Sequence, residues 1–132
     1  MQDKLNKDFP ELAGAKSGLD CFKNAVLNAA LEIYVGEKPK IYDVNTPVGR
    51  HAYLGNEKGE IMSQGITWKT DFYPELNQED IKNLGGIDIT KDILNQALNK
   101  SEDMYGYHRI LDNLEKDIPD IKKHISQFIE SI

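Results

Sequence analysis

Between Asp20 and Tyr34 the apolar positions follow two helical stripes: Phe22, Val26, Ala29 and Ile33 form one, and Leu27, Leu31 and Tyr34 form the other. A helix apolar on most of its girth needs cover on two sides, so this segment is predicted to be central to the fold. Asp20 is its expected N-cap, Gly36 its stop, and Pro39 prevents continuation.

The pattern then shifts towards strands. "KPKIYDVN" is a short strand candidate, and the turn-rich "NTPVG" follows it. "RHAYLGNEKGEIMSQ" reads as a hairpin about Asn56-Glu57-Lys58-Gly59, with Leu54 facing Ile61, Tyr53 facing Met62 and His51 facing Gln64. A different loop length would slip that register and turn each side chain to the other face. "GITW" extends the sheet, and "TDFYPEL" leaves it as a loop.

The last third returns to helical spacing. Asn77 or Gln78 opens a short helix that Gly85 and Gly86 end, and Thr90 caps "KDILNQALN". Ser101 is expected to start a helix with Met104, His108, Leu111 and Leu114 on one face. A final helix opens at Pro119, and Ile118, Ile121, Ile125, Phe128 and Ile132 recur at its three- and four-residue spacing. The predicted class is α+β: a central N-terminal helix on a small antiparallel sheet containing residues 49–64, capped by a helical C-terminal third. One domain is expected over 1–132, with an arm at 1–16, helix plus sheet at 17–75 and a helical region at 76–132.

Composition narrows the function classes. With 39% hydrophobic and 29% charged residues the chain has the balance of a soluble globular domain. It has no apolar run long enough to cross a membrane and no secretory leader in the sequence as given, so a cytoplasmic site is the default expectation. The net charge is −6 and the lysines are scattered, which argues against nucleic-acid binding. One cysteine forms no internal disulfide and no zinc knuckle. His108 and His124 fall on separate helices and suggest no metal, and "NLGGID" lacks the length and the lysine of a phosphate loop; no cofactor is expected.

The candidate chemistry lies in "GLDCFKNAV". A thiol attacks carbonyls as its thiolate, which a helix N-terminus and a nearby imidazolium both stabilise. Cys21 falls in the first turn of the predicted helix, with Asp20 opposing ionisation and His51 opening a strand thirty residues on. The alternative is plain: a small buried hydrophobe and a half-exposed strand histidine.

The order "CFKNAVLNAALE", then a strand, then "RHAYLGNEKGEIMSQGITW", resembles the papain-like and transglutaminase-like cysteine hydrolase superfamily over roughly residues 18–70. There a cysteine opens the central helix, and a "HAW" or "HAY" triplet opens the hairpin, followed by an acidic glycine-bearing turn and a strand with Asp or Asn. The resemblance implies Cys21 as nucleophile and His51 as proton relay. Where the family often has an aspartate shortly before "TW", this chain has Gly65, so the orienting group is Gln64 or, across a loop, Asp71. The Cys21 backbone N–H and one upstream donor, for which Ser17 is the nearest candidate, would form the oxyanion hole, although Ser17 also suits a turn. Trp68 and Tyr53 are candidates to line a substrate groove, or core residues.

Two readings follow. One is a small cysteine hydrolase or acyl transferase acting on an amide or thioester carbonyl of a protein or peptide substrate. The other is an acidic interaction protein, such as an immunity protein against a basic toxin, its charge speeding encounter with a cationic partner. A papain-like scaffold that has lost catalysis and only binds lies between them.

Overall fold

The structure is a computed structural model. It describes residues 21–47, 49–64 and 74–132. The arm at 1–16 and the candidates Ser17, Asp20, Trp68 and Asp71 lie outside the described residues.

The expected α+β architecture is present. The described elements run α1 (Cys21–Tyr34), β1 (Lys40–Thr46), β2 (Gly49–Gly55), β3 (Ile61–Gln64), α2 (Gln78–Asn83), β4 (Ile87–Asp88), α3 (Thr90–Leu98), a 3-10 turn (Lys100–Glu102), α4 (His108–Glu115) and α5 (Ile121–Ser131). The strands form one antiparallel sheet in the order β3-β2-β1-β4.

Helix α1 is central, as its two apolar stripes require: residues 24 to 30, with Glu32 and Ile33, are all buried. It ends as the sequence signals. Gly36 takes φ 90°, its N–H bonds to the Ile33 carbonyl, and the Glu37 N–H bonds to Glu32, closing a Schellman motif. Gly85 ends α2 in the same way, with φ 72° and the Gly86 N–H on the Ile81 carbonyl. At the front of α2, Asn77 accepts from Asp80 N–H while the Asp80 carboxylate accepts from Asn77 N–H, a reciprocal capping box.

Strand alternation divides the core into two layers. Ile41, Ala52 and Leu54 face a large cluster built with α1, α3, α4 and α5. Val44 and Tyr53 face the other way, where they meet Ile81 of α2, with Tyr42, Ile61 and Leu76 around them. Thr90 ties the first layer to β1: its Oγ1 accepts from Ile41 N–H at 2.8 Å and donates to Asp88 at 2.6 Å.

Three expectations need correction. The β2–β3 register is one residue away from the expected one, pairing Ala52 with Gln64, Tyr53 with Ser63 and Leu54 with Met62. The cause is a longer loop: Asn56 N–H bonds to the Glu60 carbonyl, and Gly59 takes φ 82° within it. The helix expected from Ser101 begins at His108 instead. Asp103 draws the intervening chain into a loop, and Gly106 at φ 81° prevents helical continuation, which leaves Met104 84% exposed. Thr90 is the first helical residue rather than the cap, because its hydroxyl is committed to β1. Strand β4, only two residues long, carries no period to read.

Gly86 offers a test of the α2 junction. A Cβ there would overlap Ile81 Cγ2 and sit 2.9 Å from the Ile81 carbonyl oxygen. Gly86→Ala is expected to lower stability by about 1–3 kcal/mol through this overpacking. Urea unfolding measures it, and a variant as stable as the parent would contradict the close approach.

Candidate functional site

Cys21 is the first described residue of α1. It is half-buried and packs with Phe22 against the large cluster, on the helical side of the sheet. Phe22 lies under the Arg50 guanidinium, 4.6 Å from its ring centroid. Arg50 also forks Asp43, with Nε on Oδ1 at 2.8 Å and a terminal nitrogen on Oδ2 at 2.7 Å. The start of β2 is thereby fixed against the start of α1.

His51 follows Arg50 by one residue, and that single step decides its direction. Arg50, Ala52 and Leu54 face α1; His51 and Tyr53 project from the other face. There the His51 ring meets the Tyr53 ring edge-on at 5.2 Å, and its Nε2 shares a 2.7 Å hydrogen bond with Ser63 Oγ. Ser63 pairs with Tyr53 and reaches His51 as its diagonal neighbour on the same face, whereas the expected register put Gln64 directly opposite His51. His51 is only 1% exposed.

Gln64 sits opposite Ala52 and therefore faces α1, where its Oε1 accepts from Asn28 Nδ2. The same Asn28 amide reaches the Asn24 carbonyl at 3.0 Å. Gln64 is thus committed to a cross-link between β3 and α1, on the side away from His51. Tyr53, a candidate to line a groove, is fully buried and donates its hydroxyl to the Pro74 carbonyl at 2.7 Å. Its position is that of a core residue.

A set of residues outside the expected site accompanies Cys21 along α1. Asn24, Asn28 and Glu32 repeat every fourth position and are all buried. The sequence signal was available: three polar residues at i, i+4 and i+8 in an otherwise apolar helix define one polar line on a surface that must be covered. Ser63 had no such signal, since its role depends on the hairpin register.

Among the described residues no group of three His, Cys, Asp or Glu side chains is placed to hold a metal. His108 binds Asp103 at 2.6 Å, and His124 binds Asp120 at 3.0 Å while meeting the Tyr34 ring edge-on. No helix among the described residues is long and apolar enough to cross a membrane. Comparison with protein-family models, curated proteins and solved structures yielded no match.

Two buried groups on opposite faces of the sheet have shifted pKa values. Burial, with the neighbouring Glu37 carboxyl, pushes Glu32 from 4.5 up to about 7. Burial pushes His51 from 6.5 down to about 4, so the ring is neutral at pH 7. Folded Glu32 keeps a proton that the unfolded chain releases, so stability falls as pH rises from 4.5 to about 7. Folded His51 refuses a proton that the unfolded chain accepts, so stability falls as pH drops from 6.5 to about 4. Between pH 4.5 and 6.5 the two slopes oppose each other. Glu32→Gln leaves the histidine slope alone and is expected to lose about 1–3 kcal/mol on acidification across that window, whereas His51→Gln is expected to gain a similar amount. Urea unfolding at stepped pH measures both, and a flat profile in either variant would contradict the burial of the group it retains.

Proposed function

We propose that this chain is a papain-like scaffold that binds a basic protein partner and does not run a Cys21–His51 relay. The observation that carries the reading is strand parity: α1 covers the face of β2 that holds Ala52 and Leu54, and His51 leaves from the other. A base must come within hydrogen-bond reach of the proton it removes, and geometry precedes pKa in choosing it. The commitment of Gln64 to Asn28 takes away the expected orienting amide as well. The net charge of −6 favours a cationic partner by raising the encounter rate.

The second reading, a cysteine hydrolase or acyl transferase, is favoured by one observation, the place of Cys21 at the opening of α1. Thiol reactivity separates the two. Under the binding reading, iodoacetamide labels Cys21 near pH 6.5 no faster than it labels a cysteine peptide of ordinary pKa, about 8.5. The rate is also unchanged in His51→Gln, a replacement that keeps a polar group beside Ser63. Accelerated labelling that His51→Gln abolishes would establish a thiolate–imidazolium pair and overturn the reading.

A further inference from the structure

Charge separates two grooves among the described residues. One, of about 710 Å³, is lined by Lys38, Lys40 and Lys91 together with Glu57, Asp88 and Asp92, a mixture that selects for neither sign. The other, of about 750 Å³, lies between α3 and the loop before α4 and is lined by Asp92, Glu102, Asn95, Asn99, Met104 and Tyr105, among others. Among the described residues its lining includes two carboxylates and no lysine or arginine.

The apolar part of this second groove is displayed rather than buried. Met104 is 84% exposed and Tyr105 61% exposed. The loop that carries them is nonetheless fixed from beneath. One Asp103 oxygen accepts from the N–H groups of Tyr105 (3.2 Å) and Gly106 (3.0 Å), and the other accepts from His108 N–H and Nδ1, each at 2.6 Å. The Asp103 side chain is fully shielded, and although its burial opposes ionisation, hydrogen bonds from His108, Tyr107 and Tyr105 hold its carboxyl below the usual range. Tyr105 is also tilted against Tyr107 with the rings 5.7 Å apart. Two large side chains are thus held in open solvent by a loop that binding need not order, which lowers the cost of association.

We infer that the groove formed by Asp92, Glu102, Met104 and Tyr105 docks a basic segment of a partner protein in which lysine or arginine alternates with apolar residues. The carboxylates and amides receive the cations, the Tyr105 face adds a cation–π contact, and Met104 adapts to the apolar side chains between them. A second copy of this chain fits less well, since its net charge has the same sign as the groove. The inference rests on the binding reading proposed above and names the surface and the partner's chemistry.

The test is a titration of the full-length, 15N-labelled protein with a peptide of alternating arginine and leucine, followed by amide chemical shifts. Shifts concentrated on residues 92–105 are expected, with at least a tenfold loss of affinity in Tyr105→Ala and Met104→Ser. Glu102→Gln is expected to weaken the salt dependence, because one charge pair is removed. A peptide with glutamate in place of arginine should leave the spectrum unchanged. Shifts spread over the whole acidic surface, no binding at about 1 mM peptide, or full affinity in Tyr105→Ala would each overturn the assignment. Concentration-dependent dimers abolished by Tyr105→Ala would assign the groove to a second copy instead and overturn it too. Failure here with slow, His51-independent labelling of Cys21 rejects the groove alone, whereas fast, His51-dependent labelling rejects the binding reading itself.

Discussion

Everything near the candidate site depends on the two-residue alternation of one strand. Both faces of β2 are covered, by the helical layer on one side and by the cluster around Ile81 on the other. Residues 51 to 55 are all buried, so a one-residue slip would exchange Ala52 and Leu54 for His51 and Tyr53 in the helical layer and undo the packing of both layers. Arg50 reinforces the choice by fixing the strand to Phe22 and Asp43 on the α1 side. The direction of His51 is thus a consequence of where Ala52 and Leu54 must go.

The same constraint shapes the polar groups. A helix covered on most of its girth has to satisfy whatever polar residues it carries, because a buried amide without partners costs about 1–3 kcal/mol. Asn28 meets part of that demand through Gln64 and the Asn24 carbonyl, while burial and the neighbouring Glu37 raise Glu32 to about 7, which reduces the charge it carries into the core. On the opposite face His51 remains neutral against Ser63 and Tyr53. These shifts arise from burial, and shifts of that origin occur in cores as well as in catalytic sites.

Much of the fold was legible in the sequence because its determinants are local. The double apolar stripe of α1, the glycine stops at Gly36 and Gly85, and the Asn77 cap each act within a few residues. The C-terminal stripe of Ile121, Ile125 and Phe128 is buried as its spacing predicts, although Ile132, beyond the last turn, is exposed. The site was less legible. Its geometry depends on a hairpin register, and one extra loop residue was enough to exchange Ser63 for Gln64 beside His51. Met104 was misassigned to a helix face because Asp103 competes for backbone N–H groups that a helix would use, and side chains of that type do so readily.

The central claim is that the sheet separates His51 from the face on which Cys21 packs. Nuclear Overhauser contacts from the His51 ring protons measure this directly in the folded protein. The structure predicts contacts to the Tyr53 ring and the Ser63 β-protons, with none to the Cys21 β-protons. Strong contacts between the His51 ring and Cys21, with those to Ser63 missing, would place the imidazole on the helical side and contradict the account.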